Sequence, residues 1–357
     1  MESVFTQFRI RAIATVVGGR RIRLDDEVGL YGGDRARIDR LKKATGLDTR
    51  HVVSDGVTSL DLAEDAYLRL ERRTGIDRDS IDACVFVTQT PDHFQPANSA
   101  LLHGRLGLPK KTACWDVNLG CSGWVYGLVQ LGALFECGDI RRALLVAGDT
   151  ISRQTDPEDR GTAPVFGDGA AVSLLERARG RETRAILGSD GAGSAAIRVP
   201  AGAFRYPLPT TETFRDGEGN PRRADCLIMD GLEVFRFSLR EVPVAVRDLL
   251  EGAGVGAEQL SHAFFHQANA SILTTLQRRL GLTAAQVPLG TLARYGNLSS
   301  ASVPAVVCDT LSAPADSDAA GLSVLCGFGV GLSWGTALTD LSGVDCLPIT
   351  IHGHPRT

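Results

Sequence analysis

Asp116-Val-Asn-Leu-Gly-Cys121-Ser-Gly-Trp-Val-Tyr-Gly-Leu128 is the stretch from which the rest of the chain is read. Upstream, Thr112 to Val117 is an extended apolar run that breaks at Asn118 to Gly120. Downstream, apolar residues at Val125, Leu128, Val129 and Phe135 keep helical spacing. Cys121 therefore falls at a strand-to-helix corner, in or just before the first helical turn. The first N–H groups of a helix have no intrahelical partner, and with the helix dipole they favour an anion. The position predicts a reactive thiol with a lowered pKa. Gly120, Ser122, Gly123 and Gly127 keep the surroundings small, so a second backbone or a thin ligand can approach. A cysteine taken singly packs most often as a small buried hydrophobe. The corner, the glycines and the partners described below favour chemistry instead.

Length and composition set the outer bounds. A chain of 357 residues suits one large or two medium domains, and an apolar share of 43% supports a sizeable core. The net charge of -4 argues against nucleic-acid or bulk membrane binding. The start, Met1 to Arg9, lacks the basic and long apolar regions of a signal peptide, and no run reaches the length of a membrane span. Eight cysteines are scattered without CxxC pairs, so neither a zinc site nor a disulfide framework is indicated. A reducing cytoplasm is the compartment this usage fits.

Read in order, strand-like and helix-like runs alternate. Strands are expected at Phe8 to Val17, Ala83 to Thr90, Arg142 to Gly148, Ala170 to Leu175, Arg184 to Gly188 and Ala263 to His266. Helices are expected at Asp34 to Thr45, Thr58 to Thr74, Asn98 to Leu106, Leu232 to Gly252 and Ala270 to Leu280. Pro200 to Arg223 reads as a long loop, and Leu322 to Gly327 as an apolar run.

The second half repeats the first. Ile81-Asp-Ala-Cys-Val-Phe-Val-Thr-Gln and a helix ending Arg105-Leu-Gly-Leu108 recur as Leu260-Ser-His-Ala-Phe-Phe-His-Gln and a helix ending Arg279-Leu-Gly-Leu282. Asn118-Leu-Gly-Cys-Ser122 recurs as Asn297-Leu-Ser-Ser-Ala301. The order is kept and the offsets are 180, 174 and 179 residues. This predicts a duplicated α/β unit with halves at 1–178 and 179–357. A pseudo-twofold would set the Cys121 corner against the Asn297 corner, with His266 beside both.

Such a constellation has a chemistry. Cys121 is a nucleophile, and His266 and Asn297 are neutral donors aimed at an oxygen that becomes negative. Oxyanion donors of this kind contribute about 3 kcal/mol each. Backbone N–H groups of Gly329, Val330 and Gly331, in Gly327-Phe-Gly-Val-Gly-Leu332, can reach the same place. Singly, each has a plainer reading: a core histidine, a turn asparagine, glycines at a tight packing contact.

Five motifs in order, Asp116 to Trp124, Phe166-Gly-Asp-Gly-Ala170, His266-Gln-Ala-Asn269, Tyr295-Gly-Asn-Leu-Ser-Ser-Ala-Ser-Val-Pro304 and Gly327 to Gly335, resemble beta-ketoacyl-acyl carrier protein synthase III. That is the Cys-His-Asn branch of the thiolase superfamily, and the resemblance covers about residues 45 to 340. It implies the five-layered αβαβα thiolase fold and a homodimer. It implies that Cys121 takes an acyl group from a thioester, usually acyl-CoA. His266 and Asn297 then assist decarboxylation of a malonyl thioester, with no metal or redox cofactor and an acyl carrier protein as partner. It places Arg153 at CoA, Arg236, Arg278 and Arg279 at the carrier protein, and Phe94 and Gln95 in the acyl pocket across the dimer.

The chain also departs from the family pattern. Arg40 and Ala44 stand where housekeeping members carry a Trp and an Arg for the adenine end of CoA. Ser271 replaces a usual docking Arg, Gln95 replaces a common Phe, and residues after Thr339 run past the usual end as an expected surface appendage. These departures point to a specialised synthase rather than the initiator of fatty-acid synthesis. Two other readings use the same residues. One is acyl transfer from Cys121 to an alcohol or amine. The other, more remote, is a cysteine hydrolase, which requires a local signature that this chain lacks.

Overall fold

Strands form at Glu2–Phe5 (β1), Phe8–Val17 (β2), Ala83–Val87 (β3), Ala113–Val117 (β4), Arg142–Asp149 (β5) and Gly169–Arg177 (β6) in the first half. Its helices are Arg35–Thr45 (α1), Ser59–Thr74 (α2), Asn98–Leu106 (α3) and Gly123–Cys137 (α4). The second half adds Thr183–Ser189 (β7), His262–Phe265 (β8), Leu322–Gly329 (β9) and Ser333–Asp340 (β10). It also adds helices Gly231–Ala253 (α5), Ala270–Arg279 (α6), Gly290–Tyr295 (α7) and Ser302–Leu311 (α8). Asp345–Cys346 (β11) and Thr350–Ile351 (β12) follow. The structure is a computed structural model that describes residues 1–207, 213–215, 221–312 and 320–354. Parts of the loop expected over Pro200 to Arg223, and the last three residues of the tail, lie outside the described residues.

Local signals explain the helix limits. Asp34 caps α1 by accepting from the N–H groups of Ala36 and Arg37, and Gly46 ends it in the left-handed conformation. Thr58 and Asp61 form a capping box at the start of α2, and Gly75 ends it. The long α5 starts on Asp230, which accepts from Leu232 and Glu233.

The sheets display the duplication directly. One runs β2-β6-β5-β3-β4, with β11 and β12 on the far edge of β2. The other runs β1-β7-β10-β9-β8. In the first, β2 is antiparallel to β6, β6 to β5, and β5 is parallel to β3. In the second, β7 is antiparallel to β10, β10 to β9, and β9 is parallel to β8. Order and direction repeat over these four strands, β2-β6-β5-β3 against β7-β10-β9-β8, and β4 extends the first sheet alone.

Between the sheets lie α4 and α8. The first packs on β5 and on β9 and β10; the second packs on β2 and on β8. Both are apolar nearly all round, as a helix between two sheets must be. The amphipathic α2 covers the outer face of the first sheet, and α5 covers the outer face of the second. The layers are αβαβα, the thiolase fold.

The halves exchange their ends. β1 joins the second sheet by pairing with β7, and β11 and β12 join the first by pairing with β2. The tail is therefore not the surface appendage expected from sequence. Leu347 donates its N–H to Ile13 and His352 to Val17, at 2.9 and 2.8 Å. Arg73 holds Asp345 at 2.9 Å, and Arg69 donates to the His354 carbonyl at 2.9 Å. The physical reason is the outer edge of β2, whose backbone groups would otherwise be unpaired.

Candidate active site

Cys121 sits between β4 and α4, one residue before the helix N-cap Ser122. Gly123 donates to the carbonyl of Gly120 at 2.8 Å, closing the corner. The Gly-rich end of β9 lies against this corner. A Cβ on Gly329 would stand 2.9 Å from the Cys121 Cβ and 3.0 Å from Sγ, and one on Gly327 would strike the Cys121 carbonyl. Only glycine lets the second half approach the nucleophile this closely. Ser122 Oγ meets Ser333 Oγ at 2.7 Å, and Ser333 Oγ donates to the Val330 carbonyl at 2.7 Å. These bonds fix the turn so that the Val330 N–H, with that of Cys121 itself, is directed at the sulfur.

The thiol itself corrects the sequence expectation. Cys121 is partly exposed to the cavity, yet burial by the surrounding protein and then the charge of Asp149 push its pKa up to about 12. The Ser299 hydroxyl and the Cys121 and Val330 N–H groups oppose the rise without cancelling it. A helix dipole is a local effect and is outweighed here by desolvation. The resting sulfur is therefore a thiol. Its alkylation by iodoacetamide should rise about ten-fold per pH unit from pH 6 to 9, with no plateau, because only the thiolate reacts. A plateau at or below pH 8 would return the site to the lowered value.

His266 follows β8 directly. Its N–H donates to the Cys326 carbonyl at 2.7 Å, and its ring meets Phe328 edge-on at 5.5 Å. Burial drops its pKa to about 3, so the imidazole is neutral at physiological pH. Its buried Nδ1 has no hydrogen-bond partner among the described residues.

Asn297 is held from two sides. Its N–H donates to Val165 and its carbonyl accepts from Gly167, both at 3.0 Å. This gives the Phe166 to Ala170 motif a physical role. A Cβ on Gly167 would collide with the Tyr295 carbonyl, and Asp168 anchors the loop by accepting from Val53 and Ser152. The Asn297 Oδ1 accepts from the Ser299 N–H at 2.9 Å. With the oxygen engaged, the Nδ2 donors are the part of the amide left for the cavity.

Cys121, His266 and Asn297 all line one cavity of about 1750 Å³. That exceeds the usual small-molecule pocket and gives room for a long substrate. Arg153 lines it too and donates to the Ser54 carbonyl at 3.1 Å. From α1, Leu41 and Thr45 face the cavity, whereas Ala44 turns its carbonyl to Ser271 Oγ at 2.6 Å. Phe94 and Gln95 line the cavity of their own chain, and Phe94, 72% exposed, packs on Phe204 at 5.5 Å. The three arginines expected at a docking surface lie on α5 and α6. Arg236 pairs with Glu233 at 2.6 Å and Arg279 donates to the Leu239 carbonyl at 2.6 Å, while Arg278 is exposed.

Two residues of the site were missed by sequence reasoning. Ser299 holds a left-handed backbone at φ 50 and turns its hydroxyl to the Cys121 thiol. Asp149, fully buried, accepts from Thr88 Oγ1, the Gln89 N–H and Thr90 Oγ1 at 3.1, 2.8 and 3.3 Å, and from the Ser300 N–H at 3.2 Å. One carboxylate thus ties the wall that follows β3 to the loop that carries Asn297.

Comparison with known proteins gives consistent results. The family profile for 3-oxoacyl-[acyl-carrier-protein (ACP)] synthase III matches residues 115–196, and that for its C-terminal part matches 250–341. A Campylobacter jejuni protein provisionally assigned as 3-oxoacyl-[acyl-carrier-protein] synthase 3 is 33% identical over 99% of each chain. A beta-ketoacyl-[acyl-carrier-protein] synthase III of Rhodopirellula baltica is 32% identical over 89% of this chain and 94% of its own. The crystal structure of a 3-oxoacyl-(acyl-carrier protein) synthase from Burkholderia xenovorans LB400 superposes with a TM-score of 0.92 at 32% identity, covering 98% of this chain and 99% of that one.

Proposed function

This chain belongs to the 3-oxoacyl-[acyl-carrier-protein] synthase III family, and on that premise we propose how its residues divide the work. The protein is an acyltransferase that condenses an acyl thioester with a malonyl thioester. The observation that carries the reading is the convergence of Cys121, the Val330 N–H, neutral His266 and Asn297 on one cavity.

In the first half-reaction the Cys121 sulfur attacks the acyl-CoA carbonyl. The N–H groups of Cys121 and Val330 stabilise the oxyanion, and the thiol proton ends on the released CoA. In the second, the malonyl thioester loses carbon dioxide, and the electron pair of the broken C–C bond passes into an enolate. Neutral His266 and the Asn297 Nδ2 donate to the enolate oxygen. The carbanion then attacks the acyl-Cys121 carbonyl, the sulfur leaves and takes up a proton, and a 3-oxoacyl thioester departs. Loss of carbon dioxide drives the sequence, so these residues need no metal or redox cofactor for it.

Arg153, at the cavity, serves the CoA nucleotide. Arg236, Arg278 and Arg279 form the surface for an acidic acyl carrier protein, with exposed Arg278 the principal contact. The outer edge of β4 ends its sheet, and a partly exposed edge strand invites a partner. A second copy pairs there, making a homodimer that brings Phe94 and Gln95 to the partner's acyl pocket. All eight cysteines are free thiols and no described helix is long and apolar enough to cross a membrane; both fit action in a reducing cytoplasm.

Incubation with an acyl-CoA and a malonyl-carrier protein tests this. The expected result is equimolar carbon dioxide and 3-oxoacyl product. If acyl-Cys121 forms but discharges to an alcohol or amine while malonyl thioester is untouched, transfer without condensation is the activity.

A further inference from the structure

Once His266 and Asn297 are assigned to the enolate, two side-chain amides beside the nucleophile remain unused. Gln89 and Asn118 line the same cavity as Cys121. Gln89 lies so close to the corner that a Cβ on Gly120 would collide with its Oε1. Its backbone is fixed there, because its N–H donates to Asp149 at 2.8 Å. Asn118 stands three residues before Cys121, at the end of β4. Neither side chain has a hydrogen-bond partner among the described residues. Together they offer two carbonyl acceptors and two NH₂ groups to the cavity that holds the Cys121 sulfur, with the Gln89 amide against the neighbouring Gly120.

That arrangement suits some acyl groups and penalises others. An amide that no protein group pairs is solvated by water until a substrate displaces it. A purely aliphatic chain on Cys121 displaces that water and returns no hydrogen bond, leaving polar groups desolvated and unpaired. A chain with its own hydroxyl or keto oxygen replaces the lost bonds. Sites built to bond such a group reject the analogue that lacks it much more strongly than an apolar pocket rejects an extra methylene. The charge matters as well. Asp149 acts on the Cys121 sulfur and Asp116 lines the cavity, while Arg153, Arg160 and Arg198 line it too, so it is a carboxylate carried close to the sulfur that meets repulsion.

We propose that Gln89, assisted by Asn118, is a specificity-determining residue that selects a neutral, oxygen-bearing acyl group, a hydroxyacyl or oxoacyl thioester, as the group loaded onto Cys121. The proposal rests on the acyl-transfer reading of Cys121 and supplies its substrate class.

Intact-mass time courses test it with four thioesters at equal concentration: butyryl-CoA, β-hydroxybutyryl-CoA, acetoacetyl-CoA and succinyl-CoA. Wild type should acylate from the hydroxyacyl and oxoacyl donors about ten-fold or more faster than from butyryl-CoA, with succinyl-CoA the slowest. Gln89→Leu, similar in volume and without the amide, should slow the two oxygenated donors and speed butyryl-CoA, bringing the ratio to about one or below. Its butyryl loading serves as its own check of folding. A wild-type preference for butyryl-CoA, a faster rate with succinyl-CoA, or a ratio unchanged in Gln89→Leu overturns the proposal and leaves acyl transfer standing. Failure of all four to load Cys121 overturns acyl transfer itself, and the proposal with it.

Discussion

Cys121→Ser removes the acyl-enzyme while leaving the fold intact. The hydroxyl is smaller than the thiol and fits beneath Gly329, whose approach is what limits the size of this side chain. An alkoxide is much harder to form near neutral pH than a thiolate, and the resting sulfur is itself protonated. Loss of at least about a thousand-fold in loading is expected, the scale seen when the nucleophile of a catalytic set is removed. Peptide mapping after loading the wild type should find the adduct on Cys121 and on no other cysteine. Cys84, Cys226, Cys308, Cys326 and Cys346 are buried, and Cys137 is exposed at the end of α4, outside the cavity that would hold the thioester. Cys114 is the chemical competitor: a hydrogen bond from Cys84 holds its thiol below the usual value, and it is only half-buried. An adduct on Cys114 with Cys121 free would sink the assignment, whatever the state of the fold.

That competition shows which parts of the site could be read from sequence. The corner at Cys121 and the limits of the helices expected at Asp34 to Thr45 and Thr58 to Thr74 are local, written in a few adjacent residues, and the structure places each within one residue of that expectation. The duplication was legible because both halves keep the same strand order, so the matched segments keep one offset. Other features arise from residues far apart in the chain. Asp149 gains its role from donors at Thr88, Gln89, Thr90 and Ser300, which no spacing rule connects. Ser299 adopts a left-handed backbone that favours Gly or Asn, so its type gave no warning. The tail reads from sequence as a surface appendage because nothing local names a partner for it, and the open edge of β2 turns it into strands. The thiol pKa failed for the same reason: the dipole is visible in sequence, whereas the burial that outweighs it, and the charge of Asp149, come from residues distant in the chain.

His266→Ala and Asn297→Ala should separate the two half-reactions. Each variant should still load Cys121, because the N–H groups of Cys121 and Val330, which are directed at the sulfur and are proposed to hold the acyl oxyanion, are untouched. Each should lose carbon dioxide release from a malonyl thioester by about 100- to 1000-fold, the cost of removing one donor from a developing oxyanion. The Asn297 change needs a companion, since Ala also removes the oxygen that accepts the Ser299 N–H, and Ser299 touches the thiol. Asn297→Asp keeps that oxygen and loses the donor; its added charge, like that of Asp149, should slow loading, so its failure to decarboxylate is read on enzyme loaded in advance. The pH dependence supplies a further check. Burial lowers His266 to about 3; a depressed histidine is neutral everywhere above that value, so decarboxylation by the wild type, loaded in advance, should show no histidine limb between pH 5 and 8. An acid limb near 6.5 would mean that His266 titrates as an ordinary histidine and acts through its cation. Equal loss of loading and decarboxylation in His266→Ala would instead place His266 in the first half-reaction, as the acceptor of the Cys121 proton.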